Sequence, residues 1–225
     1  MDTATVMGTE ARLRLYQLVS PALPVGAFSY AEGLEVLVQR DVLADAAAVR
    51  CWLEAELRRG TVRLEAAALP GLLDLLQRGA WAQLLERDGW LLAQREAPEL
   101  RAQQRQMGGS LLQLLADLGW PLPQPMALAW PAAFAWAGRC LEIGAPALVE
   151  AYLYGWTANQ LSAAVRLVPL GPTEAQRLQL QLTALIADQA RQLLEADPRE
   201  LWSGGVGAGL AQLGQAELYS RLFRS

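Results

Sequence analysis

The stretch YLYGWTANQLSAAVR, residues 152–166, decides the fold class. It contains no charged residue before Arg166, and it is apolar on almost every side when it is drawn as a helix. A helix that is hydrophobic all round has to be covered by other elements. Asn159 and Gln160 lie within it and need hydrogen-bond partners if they are buried. We therefore predict a central helix that other helices surround.

The composition supports helices throughout the chain. Leu and Ala together number 83 of the 225 residues, whereas Val, Ile and Thr together number 21. Leu and Ala are strong helix formers, and β-branched residues favour strands. We predict an all-α protein with a single compact domain over residues 1–225 and about eight to ten helices.

Several helix boundaries can be located from single residues. Asp45 is expected to cap a helix, and Pro146 is expected in the first turn of the central one. Thr173 and Gln176 have the spacing of a capping box. Pro70-Gly71 falls inside an apolar stripe and predicts a kink or a split there. Helix breaks are also expected at Ser20–Gly26, Gly60, Gly79, Gly108–Gly109, Pro121–Pro125, Gly144 and Pro169–Pro172.

The charged residues exclude most catalytic chemistry. The chain has no His and no Lys, so all 19 basic residues are Arg. It therefore lacks the commonest general base and metal ligand, and it lacks a phosphate-loop or Schiff-base lysine. The net charge is −4 and no basic block occurs, which disfavours nucleic-acid partners and anionic membranes. We expect a cytoplasmic protein that is not an enzyme and has no cofactor or tight metal site.

Two acidic residues near the N-terminus form a possible pair. Glu32 and Glu35 are three residues apart, so they share one face if the segment is helical. Such a pair can act as acid and base or bind a metal, but exposed Glu side chains on a solvated face are far more common. We favour the solvated face.

The C-terminal region has two parts. Residues 203–214 are rich in Gly and predict a flexible connector, because no Lys-Ser/Thr follows and no strand precedes the glycines. Residues 215–225 end in an unusual mixture of Arg and apolar side chains. Apolar and Arg side chains in a chain end indicate either a partner-binding surface or docking onto the chain's own core. Both alternatives stay open from the sequence.

Three motifs resemble the signatures of one family. SPALPVGAFSYAEGLE (20–35) and AAVRLVPLG (163–171), with the ending Tyr219–Ser225 that contains RLFRS, resemble those of the urease accessory protein UreF. They occur in the family's order, and the resemblance covers nearly the whole chain. Many relatives carry a His shortly before the closing motif, where this chain has residues 215–217, Gln-Ala-Glu.

The resemblance implies a helical, non-catalytic scaffold. Members of the family act with UreD (also called UreH) and the GTPase UreG to deliver nickel to apo-urease, and they tend to form homodimers in that complex. The residues that carry over as partner-binding candidates come from the three motifs: Phe28, Tyr30, Glu35, Arg166, Pro169, Leu170, Tyr219, Arg221, Leu222, Phe223, Arg224 and Ser225.

Two functions other than that of a simple scaffold stay open from the sequence. The chain could regulate UreG by supplying an Arg in trans, with Arg166 or Arg224 as the candidate. A helical protein with an aromatic pocket for a small molecule, built from some of the eight Trp, is the other alternative.

Overall fold

All regular structure in the described part of the chain is helical, which confirms the all-α prediction. The computed structural model describes residues 8–225. It contains ten α-helices: α1 Thr9–Leu18, α2 Leu34–Gln39, α3 Ala46–Arg59, α4 Val62–Arg78, α5 Trp81–Ala93, α6 Pro98–Asp117, α7 Trp130–Cys140, α8 Ala145–Leu167, α9 Pro172–Leu193 and α10 Val206–Gly214. Two short 3₁₀ turns lie at Ala27–Ser29 and Gln215–Glu217.

Helix α8 is central, as its apolar sequence predicts. It packs against α1, α2, α3, α4, α7 and α9. Leu148, Leu153 and Ala164 are fully buried along it. The helix therefore lies among the others, and the N-terminal and C-terminal segments are brought together around its C-terminal half.

Most of the predicted helix boundaries are confirmed. Asp45 caps α3 by accepting a hydrogen bond of 2.8 Å from the Ala48 N–H, and Pro146 lies in the first turn of α8. The capping box at Thr173 is wrong, because α9 already begins at Pro172 and Gly171 at its N-cap has no side chain to accept a bond. The chain leaves the helices at Ser20–Gly26, Gly60, Gly79, Pro121–Pro125, Gly144 and Pro169–Gly171, as predicted.

The predicted interruption at Pro70 does not split α4. The helix continues from Val62 to Arg78 through Pro70. An interior proline costs about 3 kcal/mol. Leu69, Leu72 and Leu76 are fully buried on the same helix, and each contributes roughly 1.5–3 kcal/mol. Tertiary burial therefore outweighs the local cost.

The predicted break at Gly108–Gly109 is also wrong. Helix α6 passes through both glycines without interruption. A Cβ at position 108 would meet the carbonyl of Leu128 and would lie 2.8 Å from the carbonyl carbon of Ala129. Gly108 therefore lets α6 approach the backbone that leads into α7, and it is a packing position within a helix.

The Gly-rich segment 203–214 contains a helix, which the sequence analysis missed. Only Ser203–Gly205 lacks regular structure, and Val206–Gly214 forms α10. Ala208 and Ala211 on this helix are buried. Packing of these small side chains on the body of the molecule supports a helix that the glycines alone disfavour.

The two adjacent glycines of α6 provide a matched test of this packing. We expect Gly108→Ala to lower the free energy of unfolding by about 2 kcal/mol, because the new methyl group collides with rigid backbone. Gly109→Ala has open space around its Cβ, and we expect it to raise stability by roughly 0.5–1 kcal/mol. Urea unfolding of both variants measures this, and equal effects of the two substitutions would contradict the assignment.

Candidate functional site

The C-terminal tail folds back onto the first motif. The Ala31 N–H donates to the Ser225 carbonyl oxygen at 2.9 Å, and the Arg224 N–H donates to the Ser29 carbonyl oxygen at 2.9 Å. These two backbone bonds join residues almost 200 positions apart in the sequence. The first and third motifs are therefore one structural unit.

A single carboxylate holds the tail in this position. Glu35 Oε1 accepts from the Leu222 N–H at 2.7 Å, and Oε2 accepts from the Phe223 N–H at 3.1 Å. The side-chain amide of Gln215 donates to Oε2 at 3.3 Å. Glu35 is only 5% exposed, so the expected solvated face for this residue is wrong. Hydrogen bonds of this type to a charged group are stronger than neutral ones.

The second motif contacts both of the others through one arginine. The guanidinium carbon of Arg166 lies 4.5 Å from the centre of the Phe223 ring, which is a cation–π distance. Arg166 Nη1 also donates to the Phe28 carbonyl oxygen at 3.2 Å. All three motifs therefore meet at Arg166, although they are distant in the sequence.

A buried ion network lies beneath this junction. Arg95 donates from Nε to Glu65 at 2.7 Å, and its Nη1 lies 3.5 Å from Glu32. Tyr152 also donates to Glu65, at 2.8 Å. The neighbouring carboxylates raise the pKa of Arg95 although burial opposes this, so its charge is retained. Arg95 thus lies between two carboxylates in the interior, and burial raises the pKa of one of them, Glu65.

Glu32 connects this network to the tail. It lies before α2 with a positive φ of 51°, and not on a helix with Glu35, which corrects the predicted pairing. Its carboxylate accepts from Gln103 at 3.0 Å and from the Trp156 indole at 3.2 Å. Gln103 in turn accepts a hydrogen bond from the Ser225 hydroxyl. The end of the tail is therefore fixed to the buried charges.

The exposed side of the junction is apolar and basic. Phe28 is 70% exposed and Leu222 is 52% exposed, and Tyr219 is fully exposed. We call this the tail surface, and it consists of Phe28, Arg166, Tyr219, Arg221, Leu222 and Arg224. Large exposed apolar side chains that lie together are typical of protein-binding sites.

A second apolar row lies on α10 and just before it. Its members are large, exposed and uncharged, and three of them share one helix face: Trp202, Val206, Leu210 and Leu213. We call this the α10 row. Residues 201–216 contain no charged side chain, so the row is suited to a largely apolar interface.

The structure divides the twelve motif candidates into two groups. Six form the tail surface, and Pro169 is also exposed. Tyr30, Glu35, Leu170, Phe223 and Ser225 are buried. Their side chains pack inside the chain while the tail is docked, and a role of these five residues in partner binding stays a prediction. Tyr30, for example, donates its hydroxyl to Gln106 at 2.8 Å.

Two residues of the ion network, Glu65 and Arg95, were not predicted from the sequence. Glu65 had a usable signal, because it lies among the apolar positions of α4 next to Ala66 and is 2% exposed. Arg95 had none, since it lies in a connection between helices and resembles the other arginines. Gln103 and Gln215 likewise follow no pattern that distinguishes them in the sequence.

No metal-binding or aromatic pocket emerges from the described residues. Within residues 8–225 no three Cys, Asp or Glu side chains cluster in a way that would hold a metal ion. Two open grooves of about 850 and 440 Å³ lie along α6, and no Trp lines either of them. Among the helices described, none is both long and apolar enough to cross a membrane.

Comparison with known proteins identifies the family. The UreF family model matches residues 43–183. The chain belongs to the UreF family. It is 36% identical to the urease accessory protein UreF of Prochlorococcus marinus strain MIT 9215, over 96% of this chain and all of that protein. The UreF proteins of Alkalilimnicola ehrlichii and a Synechocystis species are 39% and 38% identical, over 100% and 98% of this chain and all of each relative.

Membership of this family implies a role in urease maturation. The relatives are named accessory proteins, which agrees with a role that is not enzymatic. The family model ends at residue 183 and begins at residue 43, so the first and third motifs lie outside it. The relatives nevertheless align over nearly the entire chain, and these motifs lie within that length.

The Glu35 clamp predicts the exchange behaviour of the tail. We expect Glu35→Ala to increase hydrogen exchange at the Leu222 and Phe223 amides roughly thirtyfold, since two charged hydrogen bonds contribute about 2 kcal/mol. The exposed Glu217 provides the control, and Glu217→Ala should leave these amides unchanged. Exchange measured by NMR or mass spectrometry tests this, and unaltered protection in Glu35→Ala would contradict the clamp.

Proposed function

We propose that this UreF-family chain is a scaffold that bridges UreD/UreH and the GTPase UreG on apo-urease. In this role it takes part in assembling the nickel centre of urease without catalysing a reaction itself. The observation that carries the proposal is the junction of the three motifs. Its buried residues hold the tail, and its exposed residues form a surface on which apolar side chains are open to a partner.

The chemistry of the chain agrees with binding as its mode of action. A scaffold acts by contacting one state of its partners better than another, and this requires complementary surface but no general base. The tail surface supplies aromatic and Arg side chains, which are the usual anchors of protein interfaces. The sequence contains no His and no Lys that could perform acid–base or covalent catalysis.

The proposal includes the setting in which the scaffold works. We expect it in the cytoplasm and as a homodimer within the complex. The tail surface and the α10 row each offer exposed apolar side chains for contact with a partner.

Substitutions on the tail surface test the scaffold directly. We expect Tyr219→Ala/Leu222→Ala to weaken assembly with UreD/UreH and UreG at least tenfold, because interface anchors contribute about 1–3 kcal/mol each. Both side chains are exposed, so the fold should be retained. Co-expression, affinity purification and size exclusion measure the assembly.

The matched control is Leu180→Ala on α9. Leu180 is 72% exposed and lies outside the tail surface and the α10 row, so its removal should leave assembly unchanged. Deleting residues 222–225 is a poorer test, since it also removes the buried Phe223 and Ser225. Normal assembly of the double variant would contradict the assignment of the tail surface.

A second candidate function is regulation of UreG by an arginine in trans. Arg224 is favoured over Arg166, whose guanidinium already contacts Phe223 and Phe28. The Arg224 side chain is exposed and makes no hydrogen bond or ion pair with any residue between 8 and 225. It is therefore available to a partner's active site.

GTP turnover separates this role from tethering. If Arg224 acts as an arginine finger, Arg224→Gln should abolish a stimulation of UreG on the order of 10³-fold while the complex still assembles. Arg221→Gln is the matched control in the same tail. Equal turnover with the wild-type chain and with Arg224→Gln would leave Arg224 as a binding residue only.

A further inference from the structure

The C-terminal residues pack on a small core of their own. We call Val206–Ser225 the C-terminal unit. Two of its buried apolar side chains, Ala211 and Phe223, belong to a cluster that is separate from the main core. The rest of this cluster comes from the body of the molecule: Ala31, Leu34, Val36, Leu37, Leu43 and Ala163. A unit with so few buried contacts can open at a fraction of the cost of global unfolding.

A short connection leads from the part of the chain after α9 into the C-terminal unit. This connection contacts the end of α3. Residues Ser203–Gly205 have no regular structure. The Gly204 N–H donates to the Arg59 carbonyl oxygen at 2.8 Å. This hydrogen bond holds the connection against the last turn of α3, and the unit cannot swing away while it persists.

The carboxylate of Glu56 lies at this attachment. A Cβ on Gly60 would collide with Glu56 Oε2, and a Cβ on Gly205 would lie 3.8 Å from Oε1. The carboxylate therefore lies between a glycine at the end of α3 and a glycine of the connection. A side chain at position 60 would collide with it, whereas a Cβ at position 205 would be in ordinary van der Waals contact.

The charges that face Glu56 come from three directions. Glu32 approaches from the loop before α2, Arg95 from the connection between α5 and α6, and Arg59 from α3 itself. Ser203–Gly205 contributes no titratable group. Burial, followed by repulsion from Glu32, raises the pKa of Glu56 to about 7, although the two arginines oppose this.

We propose that Glu56 is a pH-sensitive lock on the C-terminal unit. The neutral carboxyl group fits between the two glycines and keeps Ser203–Gly205 closed on α3. The ionised group requires water, and it gains that water when the connection lifts away. Glu56 thereby makes the attachment of the unit weaker as the pH rises.

Proton linkage determines how the opening of the C-terminal unit changes with pH. The closed form binds the proton of Glu56 more tightly than the open form, where the carboxylate is hydrated and its pKa returns toward 4.5. Opening is therefore disfavoured below pH 4.5 and increases up to tenfold per pH unit until about pH 7, where it levels off. Between pH 5.5 and 8 the opening constant should rise about thirtyfold.

The lock would control the surfaces proposed for partner binding, so its biological consequence rests on the proposed function. The C-terminal unit contains Tyr219 and Leu222 of the tail surface and most of the α10 row. When the C-terminal unit is open, neither the tail surface nor the α10 row is held in a fixed position. The test below uses the chain without partners, so it can fail or succeed independently of the scaffold proposal.

Hydrogen exchange of the isolated full-length chain tests the lock. Mass spectrometry follows the exchange of the amides of residues 206–214 from pH 5.5 to 8. The observed rates are corrected for the intrinsic exchange rates at each pH. We expect the wild-type opening constant to rise about thirtyfold, with most of the change below pH 7. In Glu56→Gln the opening constant should be independent of pH.

Two controls isolate the role of this carboxylate. Glu54 lies on the same helix and pairs with Arg50 at its exposed side, and Glu96 is an exposed carboxylate that contacts α10 at Gly209. Glu54→Gln and Glu96→Gln should both retain the wild-type pH dependence. A wild-type opening constant that stays constant over this range, or a Glu56→Gln variant that keeps the dependence, would overturn the proposal.

Discussion

A buried carboxylate needs hydrogen-bond donors, and in this protein the donors of Glu35 are backbone N–H groups of the tail. The rest of the candidate site depends on this interaction. It fixes Leu222 and Phe223, which brings the Phe223 ring under Arg166 and the Ser225 hydroxyl onto Gln103. Three motifs that lie in separate parts of the sequence are joined because one buried carboxylate needs hydrogen-bond donors.

This arrangement explains why several charged residues lie in the interior of the chain. In an enzyme, buried charged residues often surround a reacting group. Here Arg95 contacts both Glu32 and Glu65, and Glu32 connects this network to the tail through Gln103. Their effect is to present the tail surface in a single conformation, which lowers the entropy lost when a partner binds.

The sequence predicted the helices well wherever apolar periodicity was strong. The all-α fold, the central α8 and the Asp45 cap are confirmed. Local rules failed where tertiary contacts decided the outcome. Pro70 is tolerated inside α4 because neighbouring leucines are buried, and Gly108 is required for close packing within α6.

The site was only partly predictable for a related physical reason. Motif resemblance indicated which segments matter, but it did not distinguish the buried Glu35 from the exposed Phe28. Helical spacing placed Glu32 with Glu35 on a solvated face, whereas a positive φ at Glu32 directs the two residues into different networks. An ion pair between residues that are not close in the sequence, such as Arg95 with Glu65, cannot be predicted from the local sequence pattern.

The central claim is that partners bind the surface that the docked tail presents. Hydrogen exchange of the chain, compared free and in the complex with UreD/UreH and UreG, tests it most directly. The account predicts added protection in the α10 row and around Tyr219–Arg221, while the Leu222 and Phe223 amides bonded to Glu35 are protected already in the free chain. Added protection confined to other helices, with none between residues 202 and 224, would contradict it.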